Sequence, residues 1–302
     1  TQIMKFGSSK KEKVNASASI AQLPPATLFY VVRKREGGAA FSLIEYDAKS
    51  VSEKNKILRE EVSALVDREK ISWINVDGVH DTVSIEFIAK EFGLHPLTAE
   101  DIVQTQQRAT IEFYDDYIYF SLKMMSLDPQ DERIDLEQVS LVLGDHFVLS
   151  FQEKTDDVLE PLRERLRKAL GRVRGQGADY LFYSILDLTI SNYFVITEEL
   201  DERIEHLEVK LDKGENKKLL EEIQELKKGL VYMKKAITPL KMAVEKLIKS
   251  EHKLIKEDTL PYFNDLSAQI NQTLEQMDAQ RAVLDSLREQ FISMSGFRSN
   301  EI

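Results

Sequence analysis

The stretch ADYLFYSILDLTISNYFVITEELDERIEHLEVKL, residues 178–211, decides the architecture. Leu181, Ile185, Leu188, Val195, Leu200, Ile204, Leu207 and Leu211 recur mostly at three- and four-residue steps. That is the period of one face of an α-helix, sustained for about nine turns. Gly214 interrupts it, and residues 217–249 return as a second long helix, with a bend expected at Pro239. So short a connection predicts an antiparallel helix hairpin. A third helix opens near residues 259–261. It carries Ile270, Met277, Leu284 and Phe291 at seven-residue steps, beside a second row of Leu266, Thr273, Gln280, Leu287 and Met294. Such heptads suit parallel self-association, or packing on the hairpin within one chain. Arg281, Arg288 and Glu289 interrupt the neighbouring rows. A dry seam does not take three charges, so the apolar row is expected to be only partly covered by its own chain and to pack on neighbouring stalks. No stop signal stands at residues 299–302, so the helix is expected to run past the end of the sequence.

Upstream of residue 156 the pattern is mixed. Strands are expected at 27–32, 41–46, 72–76, 110–114, 117–125 and 138–143, and Gly144-Asp145 turns a hairpin into 147–151. Helices are expected at 52–66, at 82–92 with Gly93 as its C-cap, from Pro96 to 103, and at 160–170. Trp73 reads as core, and His95 as a cap or turn residue. The fold class is α+β. An α/β/α sandwich with a mixed sheet is followed by a long helix hairpin and a long stalk helix. The expected division is a lead at 1–22, the α/β/α domain at 23–170, an acidic hairpin at 171–250 and a stalk at 251–302.

The 302 residues carry 41 Lys and Arg against 52 Asp and Glu, a net charge of -11. Such a surface repels phosphate backbones, so nucleic acid is excluded as a partner and divalent cations are favoured. With no cysteine, disulfides, thiolate zinc sites and thiol nucleophiles are excluded. No apolar run is long enough to span a bilayer, and the polar start is no signal peptide. The absence of an initiator Met fits an expressed fragment.

Enzyme motifs are missing. Gly171, Gly175 and Gly177 match no nucleotide loop, and the histidines at 80, 95, 146, 206 and 252 form no HxxxH pair. Carboxylates remain. Glu100-Asp101 sits in the helix after Pro96, Asp187 stands beside apolar Ile185 and Leu188, and Asp265 lies at the start of the heptad helix. Oxygen ligands without His or Cys favour Mg²⁺ or Ca²⁺. The acidic run from Glu198 to Glu208 lies on several sides of its helix, so it reads as a solvated, cation-attracting face. A soluble coiled-coil scaffold and a metal-dependent hydrolase using Glu100 and Asp101 are the rival readings. The hydrolase has no convergent base or pocket in the sequence.

In order, the segments Pro24-Pro25-Ala26-Thr27-Leu28, Trp73-Ile74-Asn75-Val76-Asp77-Gly78, Phe92-Gly93-Leu94-His95-Pro96-Leu97, Glu100-Asp101-Ile102, Glu137-Gln138-Val139-Ser140-Leu141, Phe151-Gln152-Glu153, Ala178-Asp179-Tyr180-Leu181, Leu186-Asp187 and Pro261-Tyr262-Phe263 resemble the cytoplasmic part of CorA-type magnesium transporters. The resemblance runs from about residue 23 to 302, through Asn300-Glu301. Arg108-Ala109-Thr110 departs from the family's frequent Arg-Pro-Lys. The resemblance implies a homopentamer at the cytoplasmic face of the membrane, held there by helices beyond residue 302. It implies Mg²⁺ as ligand, with Co²⁺ as a second ion. Asp101 of one subunit would face Asp265 of its neighbour across a bound ion, with Glu100 and Asp187 contributing and metal holding the closed state. Glu289 and Asn300 would lie along the ion path. A related zinc-transport branch is the alternative within the resemblance.

Overall fold

The computed structural model describes residues 37–127, 134–154, 158–213 and 218–300, with side chains as far as residue 294. The strand expected at 27–32, Gly214 and the Asn300 side chain lie outside the described residues.

Seven strands form one sheet: β1 (Ala40–Tyr46), β2 (Val51–Ile57), β3 (Ile71–Asp77), β4 (Thr110–Phe113), β5 (Ile118–Leu127), β6 (Ile134–Leu143) and β7 (Phe147–Gln152), in the order β2-β1-β3-β7-β6-β5-β4. Only β3 and β7 pair in parallel, so the sheet is mixed as expected. Residues alternate between its faces. On β1, Phe41 and Leu43 enter one core while Ile44 and Tyr46 enter the other. At the parallel pair, Trp73 Nε1 donates to Ser150 Oγ at 2.9 Å and Ser150 Oγ to Asn75 Oδ1 at 2.6 Å. These bonds satisfy the buried Trp73 indole N–H and the Ser150 hydroxyl.

One face is covered by α1 (Arg59–Leu65), α2 (Thr82–Glu91) and α3 (Pro96–Val103). Asp81 caps α2 by accepting from Ser84 N at 3.2 Å, and Gly93, at φ +65°, lets the chain leave the helix. The other face carries α4 (Glu160–Arg167), α5 (Ala178–Asp212), α6 (Leu219–Ile248) and α7 (Leu260–Asn300). α6 continues through Pro239.

Two expectations fail. Residues 52–57 are not helical but form the edge strand β2, and only 59–65 of that segment is helix. The alternation there is invisible because Ser52, Lys54, Asn55 and Lys56 are all exposed. An edge strand made of charges needs no apolar face, since it is held by pairing with β1. The stalk is the second correction. Ile270, Met277 and Leu284 are at most 2% exposed, with Leu266, Thr273, Gln280 and Leu287 buried beside them. They pack on α5 and α6 of the same chain, not on neighbouring stalks. Arg281, Arg288 and Glu289 are exposed on the rows away from the seam. The charges therefore leave the seam dry, and Phe291 alone of its row is half-buried.

Glu137, on β6, is 7% exposed and accepts from Lys154 N at 2.7 Å. Burial pushes its carboxyl from 4.5 up to about 7. A raised carboxyl contributes stability that is complete below its ordinary pKa and lost as pH rises through the folded value. Glu137→Gln keeps the acceptor. It is expected to be more stable than wild type by on the order of 2 kcal/mol at pH 8 and equal to it at pH 4. Urea unfolding at the two pH values checks this, and an equal difference at both would contradict it.

Candidate metal centre

Glu100 and Asp101 ride on α3, whose position is fixed at both ends. Pro96 starts the helix, His95 Nδ1 accepts from Leu97 N at 3.2 Å, and the Tyr117 hydroxyl accepts from His95 N at 2.9 Å. Ala99, Ile102 and Val103 are buried against the sheet, which turns the carboxylates toward the outer side. Both are half-buried. Gln104 Nε2 donates to Glu100 Oε1 at 2.7 Å, Gln107 Nε2 to Asp101 Oδ1 at 2.7 Å, and Gln107 Nε2 also to Gln104 Oε1 at 3.0 Å. Burial raises the Asp101 pKa, the Gln107 amide opposes the shift, and the charges of Glu112 and Glu100 add to it.

Asp187 on α5 and Asp265 on α7 form a second group. Their helices are joined by rings: Tyr180 and Tyr183 lie 5.1 and 5.2 Å from Tyr262, and Tyr183 lies 5.9 Å from Phe263. Gln269 Nε2 donates to Asp265 Oδ2 at 2.8 Å, one turn further along α7. Burial raises the Asp187 pKa. Arg165, the Tyr183 hydroxyl and the Gln269 amide oppose the shift, while the Asp265 charge adds to it. Asp265 itself is exposed.

The chain thus brings Glu100 to Asp101, and Asp187 to Asp265, as two separate carboxylate pairs. Among the described residues, no three His, Cys, Asp or Glu side chains converge as a metal site. The donors are all oxygen, each pair has an amide beside it, and one carboxylate of each has its pKa raised by burial. That chemistry suits a hard, hydrated divalent cation better than zinc. The sequence reading missed the glutamines. Two of them stood in plain view, since Glu100/Gln104 and Asp265/Gln269 are spaced i,i+4 on one helix face.

The family described as CorA-like Mg²⁺ transporter protein matches residues 68–302. The chain belongs to this family. It is 34% identical to the cobalt/magnesium transport protein CorA of Thermotoga maritima, over 93% of this chain and 80% of that protein. Its fold matches the soluble domain of CorA from Methanocaldococcus jannaschii with a TM-score of 0.66 at 18% identity, covering 88% of this chain and 99% of that one. The ZntB cytoplasmic domain from Vibrio parahaemolyticus is similar in fold, with a TM-score of 0.66 at 11% identity over 85% of this chain and 98% of that one. CorA-like proteins form a transporter family, not an enzyme family. Among the described residues no helix is long and apolar enough to cross a membrane.

On the acidic stretch of α5, Glu198, Glu202, Glu205 and Glu208 are exposed. Asp201 instead turns to α7, accepting from Gln276 Nε2 at 2.6 Å and Gln280 Nε2 at 2.8 Å. Glu289 is exposed on the side of α7 away from α5 and α6.

Proposed function

We propose that this chain is the cytoplasmic, Mg²⁺-sensing part of a homopentameric CorA-type cation channel, lying at the inner face of the cell membrane. Mg²⁺ sits between the Glu100–Asp101 pair of one subunit and Asp265, with Asp187 behind it, of the next. Bound metal holds a symmetric closed ring, and its loss frees the subunits and favours conduction. Mg²⁺ is also the transported ion, with Co²⁺ as a second cargo, and Glu289 and Asn300 lie along the path. The lead at 1–22, the α/β/α unit at 23–170, the hairpin at 171–250 and the stalk at 251–302 are the working parts.

The observation that carries this reading is the split donor set. Each pair is a partial oxygen site with its own amide, and among the described residues neither is completed by the same chain. Two carboxylates about 4 Å apart repel by roughly 1 kcal/mol in water and about 4 kcal/mol at a near-surface dielectric. Repeated around a ring, that repulsion pushes subunits apart, and a divalent cation reverses its sign. Mg²⁺ gives up its waters reluctantly, so contact runs through its hydration shell and affinity is low, as a sensor that must empty requires. The ligand shifts the equilibrium only by its preference for the closed ring.

In the full-length protein, Asp101→Asn and Asp265→Asn are each expected to raise the Mg²⁺ midpoint for protection against proteolysis tenfold or more. Protection should also weaken as pH falls. The raised pKa values of Asp101 and Asp187 mean that the metal-free fold is favoured by their protonated forms at low pH and loses that contribution as pH rises through the raised values. Mg²⁺ offsets the loss, so its effect grows with pH over that window. Wild-type midpoints in both variants would overturn the sensor.

A further inference from the structure

Lys123 and Gln138 stand opposite each other on β5 and β6, beneath α3. Gln138 reaches a carbonyl of its last turn, which has no acceptor role left within the helix, and Lys123 reaches a carbonyl two residues past its end. Gln138 Nε2 donates to the main-chain oxygen of Asp101 at 3.2 Å. Lys123 Nζ donates to the main-chain oxygen of Thr105 and, at 3.1 Å, to Gln138 Oε1. A cation is favoured at a helix C-terminus. The pair is itself pinned. Gln138 N donates to Glu153 Oε1 at 3.0 Å, and the hydroxyl of fully buried Tyr193 donates to the Lys123 main-chain oxygen. Tyr193 belongs to α5, six residues beyond Asp187. A strut of side chains therefore crosses the sheet from the backbone of Asp101 to the helix of Asp187.

We infer that Lys123 and Gln138 are positioning residues for the metal site: they set where α3 holds the Asp101 carboxylate toward the neighbouring subunit. This rests on the sensor reading above. Hydration-shell contacts reward a fixed carboxylate, because a mobile one must be ordered each time the ion binds.

Gln138→Glu separates positioning from packing. A glutamate still accepts from Lys123 but cannot donate to the Asp101 carbonyl. In the full-length protein, the Mg²⁺ midpoint for protection against proteolysis is expected to rise five- to tenfold in Gln138→Glu, and likewise in Lys123→Met. In an Asp101→Ala background, where there is no carboxylate to aim, Gln138→Glu is expected to add nothing. The same factor in both backgrounds would mean a general loss of stability and would overturn the inference, as would a wild-type midpoint in Gln138→Glu. The comparison between backgrounds decides even if the metal-free melting temperature falls, since lost stability acts with or without Asp101. A wild-type midpoint in Asp101→Ala alone would overturn the sensor, and this inference with it.

Discussion

Asp179→Ala is expected to destabilise the chain by about 3–4 kcal/mol in metal-free denaturation. Asp179 is 2% exposed in the first turn of α5, where a carboxylate meets the positive end of the helix. Its Oδ2 accepts from Lys256 N at 3.1 Å and from Thr259 Oγ1 at 2.6 Å. These bonds tie the short turn Glu257–Thr259, from which α7 starts, to the base of α5. Alanine leaves the buried Thr259 hydroxyl without its acceptor, at roughly 1–3 kcal/mol, takes one from the part-buried Lys256 N–H, and removes the helix charge. The site is also tight. A Cβ at Gly177 would come within 2.5 Å of Lys256 Nζ and 2.7 Å of Asp179 Oδ1. Asp179→Asn keeps an oxygen acceptor and should lose less. A loss below about 1 kcal/mol for alanine would mean that water replaces the carboxylate.

Leu284→Ala is expected to cost the chain about 2–5 kcal/mol by itself, without any neighbouring subunit. Leu284 is fully buried among apolar residues of the helical face. Removing its branched end leaves a cavity that three packed helices close only in part. The chain is judged by thermal or urea unfolding at a dilution where it is monomeric. A loss under about 1 kcal/mol would show that α7 is covered chiefly by other subunits.

That result bears on what the sequence can disclose. Seven-residue steps say that a helix buries a seam, but not whether the partner is another copy or an earlier part of the same chain. The charges that argued against a buried seam, Arg281, Arg288 and Glu289, occupy rows that face away from it, which linear spacing does disclose when the rows are assigned. The hairpin at Gly144, the caps at Gly93 and His95–Pro96 and the three long helices were legible because their signals are local. β2 was not, because its residues carry no alternation and its conformation comes from pairing with β1. Of the candidate site, the acidic character of Glu100, Asp101, Asp187 and Asp265 was plain, and their grouping was implied by family resemblance. The tie from Gln138 to the Asp101 carbonyl spans 37 residues and joins a strand to a helix end. Only the folded sheet brings them together.

The most direct measurement uses the absence of cysteine from the chain. Asp101→Cys and Asp265→Cys are combined in the full-length protein in membranes and treated with a short bis-maleimide, since a disulfide would demand closer approach than two ligands of a hydrated ion need. A ladder of covalent multimers between subunits is expected, weak or missing in either single-cysteine protein. Chains that remain monomeric after both cysteines have reacted would contradict a site shared between neighbours.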